Sequence, residues 1–319
     1  MSLVQKWSGC LLSGSITFLG HVSVDTVQNI NGSNVQPGGA ALHAAVAART
    51  LVENVVLASV IGRDYRFLDV LKSFAQRHVK VVSMPSTKFS IRYDEKWEAH
   101  YLQEEYGAGK KISFETLPRE EQNPNNVIHI SPLPPLRAHK IVSRIRETSP
   151  ETKISVNTWL GYMKTGRNRK VLREIASEVD FFIVNDSEVK TLTETDSLSI
   201  AFKMLEAKAL VVTLGEFGAI VKTEKGEVQM VPALRFPVEK LMDTTGAGDA
   251  WCGAFLAAYK LTTDFVKAVT AASVISSIKC TGWGFSKLFN LRFKDVDSIT
   301  EYVIGLKEGR MQKTISDYS

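Results

Sequence analysis

The sequence predicts an α/β protein: a three-layer sandwich whose mostly parallel central sheet is flanked by helices, with a small β lid added. Three observations carry this. Short apolar runs recur at 15–20, 55–61, 127–131, 154–157, 181–185 and 210–213, with helical segments between them, the alternation of a parallel sheet covered on both faces. The texture changes over 89–93 and 99–106, where polar and apolar residues alternate around Asp94-Glu95-Lys96; that period marks a hairpin with one wet face. Lastly, Gly246-Ala247-Gly248-Asp249 runs into small and apolar residues from Ala250 to Tyr259, a glycine-rich turn feeding a buried helix.

Taken in order, the run at 15–20 is a buried strand followed by His21-Val22-Ser23-Val24-Asp25. Asp25 is therefore expected on the loop beyond the strand's carboxyl end, where open α/β sheets bind ligands. Pro37-Gly38-Gly39 then opens an alanine-rich helix over 40–51 that carries His43 in its first turns. Paired glycines allow close backbone approach to a ligand, and His43 reads either as a packed core histidine or as a ligand-facing group. A strand at 55–61, a helix at 67–75 and a strand at 79–83 follow. The hairpin near 88–107 joins the segment near 26–36 as a lid. Beyond 127 the βα alternation resumes. The pair 219–223 and 228–231 flanks Glu224-Lys225-Gly226-Glu227 as an antiparallel hairpin, 294–307 is a last amphipathic helix, and 311–319 is a polar tail. No repeat or low-complexity linker interrupts residues 1–319, so one domain with a lid is expected.

The chain has 319 residues, 44% hydrophobic and 23% charged, enough for a full core. The net charge of +5 is modest. The densest basic cluster, Lys164, Arg167, Arg169, Lys170 and Arg173, carries no aromatic or zinc-finger pattern, so nucleic-acid binding is not expected. Three cysteines, Cys10, Cys252 and Cys280, lack a C-x-x-C spacing, which argues for a reducing compartment and against disulfides or zinc. Residues 1–14 lack a signal-peptide apolar core and no stretch approaches a membrane span. The expectation is a cytoplasmic protein with a small-molecule partner.

The turn before Ala250 leaves the helix's first N–H groups unpaired beside the positive end of its dipole, an anion site suited to phosphate. Asp249 puts a carboxylate where phosphate charge would go. It either caps the helix or acts as a base that takes a proton from a substrate hydroxyl as that oxygen attacks phosphorus.

Five stretches then line up: Gly20 to Asp25, Gly38-Gly39, Asn185-Asp186-Ser187-Glu188, Thr213-Leu214-Gly215-Glu216-Phe217-Gly218 and Asp243-Thr244-Thr245-Gly246-Ala247-Gly248-Asp249. In this order and spacing the chain resembles the ribokinase-like (PfkB) family of carbohydrate kinases from about residue 15 to 286. The resemblance implies an ATP-dependent kinase acting on a small sugar or polyol, with a nucleoside kinase or a catalytically silent sugar-binding regulator as alternatives. It implies Asp249 as the base, with the amides of Ala247, Gly248 and Asp249, after Gly246, holding the phosphoryl group. It implies Asp25 accepting hydrogen bonds from substrate hydroxyls, Gly38-Gly39 letting the substrate lie against the backbone, and His43 standing at a substrate-contacting position. Asn185 and Glu188 would organise Mg²⁺ through water, and Thr213, Gly215 and Gly218 would line the nucleotide site. Asp243, Thr245, Gly282 and Ser286 match a monovalent-cation site, so K⁺ activation is expected, and a homodimer through the lid is implied.

The chain departs from the family where His43 replaces the usual asparagine. The 131–135 and 157–159 loops lack acidic residues of many sugar-specific members, and Trp97, Tyr101 or Trp159 could platform a nucleobase. Gly20-His21-Val22-Ser23-Val24-Asp25 resembles the form in inositol kinases of the family. A dehydrogenase reading of Gly246-Ala247-Gly248 fails, because Trp251 stands where the dinucleotide fingerprint needs its third glycine.

Overall fold

Strands at the centre of the sheet divide their apolar side chains between two cores. In β10 (Phe181–Asn185), Phe181 and Ile183 enter one core, whereas Phe182 and Val184 enter the other. In β11 (Ala209–Thr213) Ala209 and Val211 oppose Leu210 and Val212 in the same way. This is the period of two of an extended chain, and it explains why these strands read as unbroken apolar runs. The computed structural model describes residues 14–234 and 241–307. Cys10, most of the N-terminal segment and the polar tail lie outside the described residues.

Among the described residues a nine-stranded sheet runs β13-β12-β11-β10-β9-β8-β1-β4-β5. It comprises β1 (Ile16–Leu19), β4 (Val55–Gly62), β5 (Gln76–Val82), β8 (Val127–Ile130), β9 (Lys153–Asn157), β10, β11, β12 (Gly218–Thr223) and β13 (Val228–Pro232). Its pairs are parallel except at β11–β12 and β12–β13. One core packs helices α1 (Ala40–Ala48), α7 (Ala247–Thr262) and α8 (Phe265–Cys280) on the sheet. The other packs α3 (Pro135–Thr148), α4 (Gly166–Glu178), α5 (Asp186–Thr193) and α6 (Leu198–Met204) on the opposite face. Helix α9 (Val296–Lys307) closes the first core with Ile299 and Val303.

A second sheet, β3-β2-β6-β7, forms the lid. Its strands are β2 (Ser23–Asn29), β3 (Gly32–Gly38), β6 (Thr87–Tyr93) and β7 (Ala99–Glu105). The alternation that marks a wet face holds in β6, whose Ile91 is buried, while all of β7 is exposed. The lid is fastened to the main body. Asn29 Nδ2 donates to the Met242 carbonyl at 2.9 Å, and Asn31 Nδ2 to that of Leu241 at 2.8 Å.

Three local expectations change. Asp25 is the third residue of strand β2 rather than part of a loop, because the chain re-enters an extended ladder directly after His21-Val22 and pairs with both β3 and β6. The helix expected over 67–75 contracts to α2 (Leu68–Lys72). Strand β5 begins at Gln76, earlier than the apolar run, because its edge position lets polar Arg77 and His78 pair with Leu57 and Ala58 of β4; backbone pairing at an edge does not need apolar side chains.

Candidate active site

The carboxyl ends of β9, β10 and β11, the start of α7 and the lid enclose a cavity of about 270 Å³. Asp25, His43, Asn157, Glu188, Thr213 and Asp249 share it. All of these but Asn157 are positions that the sequence singles out.

Gly246 precedes α7 with φ 72°, the left-handed conformation that glycine adopts without strain. A Cβ at Gly248 would meet nothing within 4 Å, so the first turn of the helix stays open to the cavity. The amide of Ala247, expected to hold phosphate, instead donates to the Thr244 carbonyl at 3.0 Å, because the turn closes on itself there. The helix start retains the amides of Gly248 and Asp249 for an anion. Asp249 Oδ1 accepts a hydrogen bond from Asn157 Nδ2 at 3.2 Å, which leaves Oδ2 for another partner. Burial pushes the Asp249 carboxyl up to about 6, against the Asn157 bond and the Lys279 charge. Asn157 carries no local signal in the sequence, since it is simply the last residue of an apolar strand.

Asp25 is buried at 3% exposure, and Ser23 Oγ donates to its Oδ1 at 2.6 Å. Burial, together with the Asp243 and Asp249 charges, raises its carboxyl to about 7, while the Ser23 and Gly39 donors pull the other way. A Cβ on Gly38 would stand 1.8 Å from Asp25 Oδ2, and one on Gly39 2.3 Å from the His21 carbonyl. The space freed by Gly38 is thus taken by Asp25 itself, and Gly39, at φ 100°, is the glycine that reaches the cavity.

His43 does not pair with Asp25. A Cβ on Gly246 would lie 2.4 Å from the His43 ring, and Phe285 packs edge-on against that ring at 5.4 Å. Burial and the Lys279 charge hold the imidazole down at about 3, so it is neutral and supports the glycine turn from below. Both ring nitrogens lack a partner among the described residues, as do His21 Nε2 and Thr158 Oγ1. All three side chains line the cavity, and buried polar atoms of this kind call for water or a ligand.

Asn185 and Glu188 bond each other as a capping box at the start of α5: Glu188 N donates to Asn185 Oδ1 at 2.8 Å, and Asn185 N to Glu188 Oε2 at 2.9 Å. Burial raises Glu188 to about 7. Among the described residues no group of three or more His, Cys, Asp or Glu side chains could hold a metal ion. A magnesium ion carried on nucleotide phosphates needs only one or two carboxylates, and Glu188 at the cavity wall fits that requirement. Thr213 lines the same wall, whereas Gly215 and Gly218, at φ 58° and 112°, shape the turn between β11 and β12. At Gly218 the missing side chain admits the Val231 carbonyl, which a Cβ would approach to 2.1 Å.

Asp243, the carboxylate among the residues expected to bind K⁺, does not fit that ion. Asp243 Oδ2 already accepts from Gln36 Nε2 and from the Gly284 amide, both at 2.8 Å, and Oδ1 accepts from the Thr245 amide at 2.8 Å. Lys279 Nζ donates to the Asp243 carbonyl at 2.7 Å and lies 3.7 Å from Oδ2. Ser286 is exposed. A second cation at Oδ2 would meet an oxygen that already accepts two hydrogen bonds and an ammonium of like charge.

Aromatic side chains wall the lid side of the cavity. Tyr101 of β7 approaches Trp159 at 5.1 Å between ring centroids, and Tyr162 meets that indole edge-on at 5.3 Å. Phe89 of β6 lies 6.2 Å from Tyr101 and 5.8 Å from Tyr106. Gly161 makes room for the indole, whose ring a Cβ there would approach to 2.4 Å.

A parallel sheet with a lid, a glycine turn at a helix start and a carboxylate facing it define a phosphotransferase that acts on a hydroxyl group. The model of the pfkB family carbohydrate kinases matches residues 15–287, and the chain belongs to that family. It is 32% identical over 251 residues to the cytidine kinase of Thermococcus kodakarensis, covering 76% of this chain and 88% of that one. In fold it resembles the nucleoside kinase of Burkholderia thailandensis in complex with inosine, with TM-score 0.75, 18% identity and coverage of 91% and 99%. The ribokinase of Giardia lamblia is similar too, with TM-score 0.73, 19% identity and coverage of 89% and 99%. Among the described residues no helix is long and apolar enough to cross a membrane.

Proposed function

We propose that this chain transfers the γ-phosphoryl group of ATP to a ribose hydroxyl of a nucleoside. The observation that carries this reading is the aromatic wall formed by Phe89, Tyr101, Tyr106, Trp159 and Tyr162, all of which line the cavity. Flat rings from two separate parts of the chain offer stacking faces to a planar base, a larger apolar surface than a lone hexose or polyol requires. The cytidine kinase relative supports the same class.

The rest of the site serves the sugar and the phosphate. Asp25 takes hydrogen bonds from the ribose hydroxyls, and His21 Nε2 and Thr158 Oγ1 supply further unpaired polar atoms around them. Asp249, oriented by Asn157, removes the proton as the hydroxyl oxygen bonds to phosphorus and the bond from phosphorus to the ADP oxygen breaks. The amides of Gly248 and Asp249 and the α7 dipole receive the charge that develops on the phosphoryl oxygens. Glu188 would help hold Mg²⁺ carried on the ATP phosphates, and the ion would supply charge neutralisation. The lid excludes water, which protects ATP from hydrolysis. The exposed outer edge of β7 offers a second copy of the lid a strand to pair with, which sedimentation would detect as a dimer.

A coupled ADP-release assay should rank cytidine, inosine and adenosine against ribose, fructose and myo-inositol by kcat/KM. At least one nucleoside is expected to exceed every sugar and polyol by about tenfold or more, the scale of one stacked base. A hexose or inositol at the head of that ranking refutes the nucleoside assignment and returns the site to the sugar kinases.

A further inference from the structure

Lys279 is a fully buried lysine at the last turn of α8, with 0% exposure. Burial of an ammonium is costly unless it is paired and hydrogen-bonded, so its position calls for a reason. Among the described residues its hydrogen-bond and ion-pair partners belong to one residue, Asp243. Nζ donates to the Asp243 carbonyl at 2.7 Å and stands 3.7 Å from the Asp243 carboxylate. The same segment is bound again to the end of α8, where the amides of Met242 and Asp243 donate to the Cys280 carbonyl at 2.8 and 3.3 Å. From Asp243 the chain runs through Thr244 and Thr245 into the glycine turn and the first amides of α7. Gln36, on lid strand β3, donates to the Asp243 carboxylate as well. One ammonium therefore holds the loop that bears the anion hole, and through Asp243 that loop is joined to the lid.

We propose that Lys279 is a covalently tethered monovalent cation: it supplies the positive charge and the carbonyl-organising contact behind the anion hole, so the enzyme works without K⁺. A resident ammonium is never diluted away, and it makes the same kind of contact to a carboxylate and a main-chain carbonyl that a bound alkali ion would make. Lys279 acts here as a positioning residue, since it touches the loop and not the reacting atoms. The inference rests on the family's phosphoryl transfer and not on the choice of a nucleoside as acceptor.

The test compares KCl, NaCl and choline chloride at equal ionic strength. Wild-type turnover, measured with whichever acceptor of the panel above gives the highest kcat/KM, should agree within twofold in the three salts. KCl should not raise the wild-type melting temperature above its value in choline chloride. Lys279→Ala should lose at least tenfold in kcat in choline chloride and regain at least fivefold in KCl or NH₄Cl, and its melting temperature should now rise with KCl. The thermal arm needs no substrate, so it reads the cation site even if every acceptor in the panel fails. Lys279→Met, which keeps the volume and removes the charge, should be folded, at least tenfold slower and insensitive to KCl. Stimulation of the wild type by KCl of more than threefold overturns the proposal. So does a Lys279→Met enzyme with kcat within threefold of wild type, or a folded Lys279→Ala protein that no cation restores. If Lys279→Ala does not fold, the wild-type comparison and Lys279→Met decide.

Discussion

The carboxylate of Asp25 fills the space that a side chain at Gly38 would need: a Cβ there would stand 1.8 Å from Oδ2 and 2.3 Å from Cγ. Two adjacent strands of the lid thus constrain each other, since β3 must carry glycine where β2 places its carboxylate. Gly38→Ala must turn the Asp25 carboxylate away. Without the hydrogen bond that Asp25 accepts from a substrate hydroxyl, binding weakens by roughly 1–3 kcal/mol, so KM for the acceptor should rise about tenfold to a hundredfold. KM for ATP should change less than twofold. Steady-state kinetics with each substrate varied in turn would read this, and an unchanged acceptor KM would remove Asp25 from the substrate site.

Asp249→Asn keeps the shape of the side chain, and its bond to Asn157 can re-form, but a proton acceptor is gone. kcat should fall on the order of 10²–10⁴-fold, with ATP affinity nearly intact by calorimetry. Turnover close to wild type would mean that Asp249 is only a helix cap.

Asp25 also makes stability depend on pH. Its carboxyl is raised to about 7 from an ordinary value of 3.8, so between those values the folded protein binds more protons than the unfolded chain. Its contribution is then fullest below pH 3.8 and is lost as pH rises through 7. The buried imidazoles of His21, His43 and His129, held at about 4, 3 and 3, act in the opposite sense below pH 6.5, so the single-site difference is the clean measure. Asp25→Asn should raise the melting temperature of the ligand-free protein more at pH 8 than at pH 5. An equal shift at the two pH values would mean that Asp25 is not raised.

Trp159→Ala removes the central ring of the aromatic wall. Base stacking is worth about 1–3 kcal/mol per base, so kcat/KM for the best nucleoside should drop roughly tenfold to a hundredfold, while that for ribose should change less than threefold. Equal losses on both acceptors would show that the indole serves the lid and not a base.

The five motif stretches identify the family and place Asp25, Asp249, Asn185 and Glu188 near one another only by analogy. What the linear order could not contain was how those groups are used up. Asn185 and Glu188, expected to organise Mg²⁺, satisfy each other across three residues as a capping box. Asn157, 92 residues from Asp249, announces nothing, because a polar residue at the end of an apolar strand looks like any strand end. The same holds for His21, for Tyr106 just beyond β7, and for Phe89, whose alternation marks a strand but not the cavity that its inner face will line.

The sequence by itself determined the layers, the lid and the anion turn, since hydrophobic period and glycine placement are local consequences of backbone geometry and burial. The tertiary structure decided the partners. Lys279 reads as one more lysine near a helix C-terminus, where such residues favour the dipole. Only the packing of α8 against the 242–246 loop turns it into a buried counter-charge for Asp243, because Coulomb attraction and hydrogen bonding act through space, between residues that lie 36 positions apart in the chain.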